Sequence, residues 1–402
     1  MIVLKFGGSS VDGAAGIERV VGLIGERRAR RPVVVVSAMA KTTRRLLAAG
    51  EAAAAGDLPG ARAIAAEIAA FHRDAAGPVT PEGSLAPLFA EHFGALDRAL
   101  ARIAAGNTGA FSPGDDDLVA SFGELLSSAI LALALHRRGV AALHVDCRQV
   151  IVTDDRFTEA RPDYPESDAR LQARLRPILE AGAVPVLGGY VGSTREGVTT
   201  TLGKEGSDFS AAIVGAALGA DEVQIWTDVD GILSADPRLV PGARVVPTLS
   251  FAEALELACA GSKKPHPGTI EPASRGDVPI RVLNSRNPEA HGSLIGRRTP
   301  GTPPRILSIA CRTADYPLFA LDGIPEAPRV APGQALISLV SEDLARHPEL
   351  ARCALVAAGD FDPEPRLVLP GEAASPTVRF LVEAAAAPRV VAALHARLIE
   401  ED

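Results

Sequence analysis

Residues 199–238, TTTLGKEGSDFSAAIVGAALGADEVQIWTDVDGILSADPR, decide the fold. Leu202-Gly203-Lys204-Glu205-Gly206-Ser207-Asp208 sets two glycines and a hydroxyl ahead of the Ala-rich amphipathic run 209–218. Backbone N–H groups and a helix N-terminus therefore face whatever binds there, which makes an anion site. Gly219 stops the helix, and residues 223–227 alternate as a strand up to Asp230-Gly231, which predicts a tight hairpin with Ile232-Leu233 returning. Loop, helix and strand in that order describe a nucleotide or phosphate site built on an α/β sheet. The same glycines equally suit an ordinary strand and helix unit in which they only turn the chain.

Working outward, residues 1–6 form a short apolar strand that runs into Gly7-Gly8-Ser9-Ser10. Glycine backbone approaches phosphate closely, and Lys5 stands at the strand end as its cation. Residues 32–36 are β-branched and apolar, as a buried parallel strand requires, and end in Ser37-Ala38-Met39 and Lys41-Thr42-Thr43. Hydroxyls thus gather at a second strand C-terminus, where open α/β sheets bind ligands. Residues 44–135 read as helical, broken at 56–60, at 77–81 and at the acidic turn Gly114-Asp115-Asp116-Asp117. Phe122-Gly123-Glu124 puts a carboxylate on an otherwise apolar helix; it reads either as a surface position or as a buried functional group. Residues 140–145, 184–187 and 223–227 are short apolar strands alternating with helices, so the sheet is mostly parallel. Gly188-Gly189-Tyr190 follows one of them as a further glycine-rich exit.

Downstream, Asp236-Pro237-Arg238 opens a loop, 251–260 is a helix, and Gly261-Ser262-Lys263-Lys264-Pro265-His266-Pro267 carries two cations, with His266 read as a turn residue. The strand 279–283 is followed by a Gly/Pro/Thr-rich linker at 298–304, a domain boundary. Beyond it, 335–340, 354–357 and 378–382 read as strands and 387–398 as a helix, a small α+β module.

A chain of 402 residues with 47 % hydrophobic content is long enough to bury two cores. Its formal charge of −8 argues against a general nucleic-acid binder. Cys147, Cys259, Cys311 and Cys353 show no CxxC or His-rich spacing, so no metal ligand set and a reducing compartment are expected. The N-terminus is too short for a signal h-region and no apolar run reads as long enough to span a bilayer, so no membrane partner and a cytoplasmic location are expected.

Seven ordered motifs resemble those of aspartokinases, which have the amino-acid kinase fold. They are Lys5-Phe6-Gly7-Gly8-Ser9-Ser10-Val11; Ser37-Ala38-Met39 with Thr43; Phe122-Gly123-Glu124; Gly203 with Gly206-Ser207-Asp208; Thr227-Asp228-Val229-Asp230-Gly231; Ala235-Asp236-Pro237-Arg238; and Asn287-Pro288 with Gly292. The resemblance implies an α/β fold, a mostly parallel sheet sandwiched by helices, over a catalytic domain at 1–297. A shortened ACT-like α+β domain at 305–402 follows. It implies transfer of the ATP γ-phosphoryl group to the β-carboxylate of aspartate, with ATP and Mg²⁺ as cofactors. A homodimer is expected because the apolar strands 335–340 and 378–382 have an edge and a face that pairing of two chains would bury. By resemblance, Lys5, Asp208 and Lys263 are catalytic. Gly7, Gly8 and Ser9 serve the phosphates with Lys5 and Lys263, while Thr227, Asp228, Asp236 and Arg238 hold nucleotide. Ser37, Thr43, Glu124, Lys204 and Ser207 hold the amino acid, with Glu124 pairing its ammonium.

Three departures stand out. Lys204-Glu205 replaces the family's usual Arg-Gly, exchanging a forked carboxylate clamp for a point charge beside a carboxylate. Lys264-Pro265 adds charge and rigidity next to Lys263. The tail has room for little more than one of the two usual ACT modules, with 305–312 expected to supply a strand of the earlier one. The substituted loop leaves two alternatives: the same fold acting on another carboxylate, or a catalytically weak regulatory homologue.

Overall fold

Val33–Val36 is four valines and Ile2–Phe6 is apolar but for Lys5, so neither strand has a face to show to water, and both are wholly buried. The computed structural model describes residues 1–106, 111–262, 265–298, 305–315, 329–359, 361, 365–368 and 377–400. Lys263, Lys264 and linker residues 299–304 lie outside them. The described chain divides into two units, residues 1–228 with 284–288 and residues 229–283 with 289–402.

The first unit runs β1 (Ile2–Phe6), α1 (Gly13–Glu26), β2 (Val33–Val36), α2 (Thr42–Ala54), α3 (Leu58–Ala76), α4 (Leu85–Ala105) and α5 (Pro113–Arg137). It continues with β3 (Ala142–Val145), α6 (Tyr164–Glu180), β4 (Val184–Gly188), β5 (Val191–Ser193), β6 (Thr199–Thr201), α7 (Gly206–Leu218) and β7 (Glu222–Thr227). Its strands lie in the order β3-β4-β2-β1-β7, every neighbouring pair parallel. Phe6 is in register with Val36 and with Trp226, and Val36 with Gly188. The strand ends, and the loops after them, therefore share one edge. Strands β5 and β6 form a separate antiparallel pair.

Helix α5 corrects two expectations. The acidic run is not a break: Ser112 caps the helix by accepting the Asp115 N–H, Pro113 follows in the first turn, and the carboxylates sit where the helix dipole favours them. The helix is also long and apolar enough to cross a membrane, yet 89 % of its apolar window is buried inside the chain, as for a core helix. Asp117 is fully buried. Its carboxylate accepts the Thr158 N–H at 3.0 Å and the Thr201 N–H at 2.9 Å, together with the Thr201 hydroxyl. One side chain thus ties α5 to β6 and to the loop before α6.

The second unit opens with a further correction. The tight hairpin expected at Asp230-Gly231 does not form; β7 pairs in parallel with β1, and Leu233 meets Val245 in a single antiparallel bridge across a wider loop. Gly231 takes φ +154°, and a Cβ there would come within 2.6 Å of Ser293 Oγ. Then come β8 (Thr248–Ser250), α8 (Phe251–Cys259), α9 (Pro267–Arg275), β9 (Ile280–Asn284) and β10 (Ser293–Gly296), with β10 parallel to β8 and antiparallel to β9.

The C-terminal part comprises β11 (Ser308–Thr313), β12 (Gln334–Val340), α10 (Asp343–Arg346), α11 (Pro348–Gly359), β13 (Arg366–Val368), β14 (Thr377–Glu383) and α12 (Ala387–His395). Residues 354–357, expected as a strand, lie inside α11, where Leu350, Ala354, Ala357 and Ala358 recur at helical spacing and pack into the core. The sheet is antiparallel in the order β11-β12-β14-β13. The run β12-α11-β13-β14-α12 is a split β-α-β-β-α arrangement whose fourth strand is β11, taken from earlier in the chain. Residues 308–313 thus complete this module rather than belong to another one. Ile309, Ile337, Leu339, Phe380, Val391 and Leu394 fill its core.

Replacing Asp117 by Ala leaves the buried Thr201 N–H and the part-buried Thr158 N–H without an acceptor, at about 1–3 kcal/mol for the first and less for the second. Urea denaturation is expected to show a loss of about 3 kcal/mol; a loss under about 1 kcal/mol contradicts the clamp.

Candidate active site

The shared edge of the parallel sheet collects most of the residues singled out from the sequence. Lys5, next to last in β1, sends its ammonium to Asp208 in the first turn of α7, Nζ to Oδ1 2.5 Å. Lys5 is 4 % exposed and Asp208 1 %, so both charges are held out of water. A Cβ on Gly7 would stand 3.7 Å from Lys5 Nζ, which places this glycine directly beside the ammonium. Gly8 has a packing reason of its own: a Cβ would come 2.6 Å from the Ala38 carbonyl, and the Gly8 carbonyl accepts the Ala40 N–H. Ser9 is half-buried in the same turn.

The N-terminus of α7 presses against the exit of β4 because both sides are small. A Cβ on Gly189 would meet the Ser207 backbone at 2.7 Å, and one on Gly206 would meet the Tyr190 ring at 2.7 Å. Ser207 is buried in that first turn. Glu205 caps the helix in the left-handed region at φ +57°, a conformation that costs a non-glycine residue about 1 kcal/mol or more. Lys204 before it is exposed.

Glu124 enters from α5. Its Oε1 accepts the Ala38 N–H at 3.1 Å, while Oε2 is buried and has no hydrogen-bond partner among the described residues. Burial pushes this carboxyl from its ordinary 4.5 to about 8, against the pull of the Ala38 N–H and of Lys5. Gly188 accommodates it, since a Cβ there would fall 2.7 Å from the Glu124 carbonyl. Ser37 is half-buried at the end of β2, its carbonyl accepting the Ser127 hydroxyl at 2.8 Å, and Thr43 is half-buried in the first turn of α2. A buried carboxyl whose Oε2 lacks a partner among the described residues, within the electrostatic reach of Lys5, suits a ligand ammonium that favours its ionised form.

At the end of β7, Thr227 is buried and its hydroxyl donates to the exposed Asp228 at 3.2 Å. Ser285 closes this end: its N–H and hydroxyl both donate to the Thr227 carbonyl, at 2.9 and 3.1 Å, and its oxygen lies 2.8 Å from Ser10 Oγ. Asp236 and Arg238 belong to the second unit, where the exposed Arg238 guanidinium is paired with the Asp236 carboxylate. Lys263 lies outside the described residues. Among the described residues no His, Cys, Asp and Glu group could hold a metal ion.

Sequence reading passed over Tyr190 and Asp117. Tyr190 sits at φ +68° with its N–H donated to Ser210 Oγ at 2.9 Å, and burial pushes its phenol up to about 12. A bulky residue held left-handed at a strand exit carries the strain typical of functional sites. The double glycine before Tyr190 and the Ser-Pro cap before Asp117 were the available signals. A second set imitates a hydrolase relay without its use: Ser234 Oγ lies 2.8 Å from His395 Nε2, and His395 Nδ1 lies 3.0 Å from Glu400 Oε1. Both Ser234 and His395 are buried, so this chain of bonds fastens α12 and admits no substrate.

A parallel sheet whose strand ends carry a lysine, paired glycines and a helix N-terminus is an α/β fold with the makings of an anion site. The amino acid kinase family model matches residues 1–284, and the chain belongs to that family. Within it the similarity is to aspartokinases. The chain is 38 % identical over 301 residues to aspartokinase 2, chloroplastic, of Arabidopsis thaliana, covering 73 % of this chain and 54 % of that one. It is 42 % identical over 203 residues to lysine-sensitive aspartokinase 3 of Escherichia coli, over 50 % of this chain and 45 % of that one. The chain thus spans about half the length of the curated relatives it matches. The structure of E. coli aspartokinase III in complex with aspartate and ADP aligns with 99 % of both chains at a TM-score of 0.82 and 28 % identity.

Glu124 yields a prediction whose sign is fixed. An acid whose folded pKa of about 8 stands above its ordinary 4.5 holds a proton in the fold that the unfolded chain has lost. Its contribution to stability therefore falls as pH rises from about 4.5 to about 8, by at most about 1.4 kcal/mol per unit. Relative to wild type, Glu124→Gln gains stability across that window. Parallel stability profiles from pH 5 to pH 8.5 for the two proteins would show that Glu124 is ionised in the ligand-free fold.

Proposed function

We propose that the chain is an aspartate kinase, transferring the γ-phosphoryl group of ATP to the β-carboxylate of L-aspartate to give 4-phospho-L-aspartate. The observation that carries this reading is the buried Lys5–Asp208 pair with the Glu124 carboxylate, all at the strand ends of one parallel sheet. In the reaction the bond from the β–γ bridging oxygen to the γ-phosphorus breaks, and a bond forms between that phosphorus and a carboxylate oxygen, with ADP leaving. The acceptor is already ionised near neutral pH, so no general base is needed. What the protein supplies is positioning and positive charge.

Lys5 holds the β- and γ-phosphates, with Gly7, Gly8 and Ser9 turning the backbone toward them. Asp208 orients the Lys5 ammonium, and Lys263 adds a second cation. Thr227, Asp228, Asp236 and Arg238 hold the nucleotide. Glu124 takes the substrate ammonium, with Ser37, Thr43 and Ser207 around the rest of the amino acid and Lys204 at its carboxylate. Mg²⁺ would come with the nucleotide and neutralise phosphate charge.

In the same proposal the catalytic domain spans 1–297 and the ACT-like domain 305–402. The enzyme is a cytoplasmic homodimer paired through that domain, and it serves the aspartate-derived amino acids, lysine and threonine among them. With one ACT-like module, activity is insensitive to lysine and threonine.

ADP release measured across aspartate, glutamate and other acids, with acyl phosphate trapped as hydroxamate, tests the acceptor. Aspartate is expected to give the highest kcat/KM, and chelating Mg²⁺ to abolish turnover. Turnover with another acid and none with aspartate overturns the reading. Inhibition by lysine or threonine at low millimolar levels, about ordinary metabolite affinities, overturns the regulatory part.

A further inference from the structure

We propose that the second unit carries a binding site for a small carboxylate with an apolar body, held by Arg305, apart from the residues assigned to phosphoryl transfer. A shallow cleft open to solvent, with an inner volume of about 50 Å³, is lined by β8, Glu253 of α8, β10, the segment entering β11 and Asp343 of α10. Three guanidinium groups line it, and two are already engaged. Arg297 pairs with Asp277 at 2.5 Å and Arg298 with the buried Asp343 at 2.5 Å. Arg305 donates its backbone N–H to Asp343 Oδ2 at 3.1 Å, but its side chain has no ion pair or hydrogen bond among the described residues, and its Nε is buried.

The acids in the wall do not answer this cation. Glu253 accepts the Ser250 N–H and the Glu342 N–H, each at 2.8 Å, and Asp343 is taken by Arg298 and the Arg305 backbone. A buried N–H donor on a permanent charge calls for an acceptor, and a planar guanidinium fork is matched by a two-oxygen anion. Leu249, Leu294 and Leu307 give the lining its apolar part, beside Thr248, Ser250 and Gly296. Such walls disfavour a strongly hydrated dianion and favour a carboxylate on an apolar body, as in small-molecule sites with few polar anchors.

Calorimetric titration of the full chain, free of nucleotide, tests this with 3-methylbutanoate and inorganic phosphate as probes. Saturable binding of 3-methylbutanoate is expected, at least tenfold weaker in Arg305→Gln, intermediate in Arg305→Lys, and unchanged by saturating aspartate. Both variants keep the backbone bond to Asp343; should Arg305→Gln fail to fold, Arg305→Lys still reads the loss of the fork. Absence of saturable binding, equal binding by wild type and both variants, or displacement by aspartate overturns the proposal. Binding of phosphate in preference to the carboxylate overturns its apolar part.

Discussion

The first unit is arranged around one buried ion pair, Lys5 with Asp208. Taking two charges out of water has a desolvation penalty that their mutual attraction only partly offsets, and apolar residues of the same size would serve the fold as well or better. The pair joins the central strand β1 to the first turn of α7. To let that turn reach the sheet, Gly189 and Gly206 must lack side chains, and Tyr190 and Glu205 are held in the left-handed region. Two non-glycine residues held left-handed near one pair of buried charges are better explained by a ligand than by packing.

Glu124 adds a second unfavourable group within the electrostatic reach of Lys5. It arrives on a helix so apolar that it would pass for a membrane span, which is what keeps the carboxyl dry and its pKa high. The same helix is anchored at its start by Asp117, whose carboxylate gathers Thr158 and Thr201. Helix α5 is thus fastened at its base, with the Glu124 carboxyl held dry in its middle. In the second unit the antiparallel sheet takes its strand β11, beside β12, from earlier in the chain.

Much of this was legible in the residues. Unbroken valines gave β2, a lysine near the strand end with two glycines marked the sheet edge, and Gly219 stops α7 as expected, in the left-handed conformation. What failed did so for local reasons. Asp230-Gly231 has hairpin chemistry, but β7 was already paired in parallel with β1. Ala354–Ala357 is too short for periodicity to separate strand from helix. The role of β11 could not be read because its pairing joins residues far apart in sequence, and Tyr190 looked like part of a turn until its backbone was seen.

The account rests on the claim that Lys5 and Asp208 are buried for phosphoryl transfer and not for the fold. The direct measurement is on the double variant Lys5→Met with Asp208→Leu, comparing its urea midpoint and its aspartate-dependent ADP release with those of wild type. The account predicts a protein as stable as wild type or up to about 4 kcal/mol more so. Its turnover should fall by about a hundredfold or more. Wild-type turnover in that variant would contradict it.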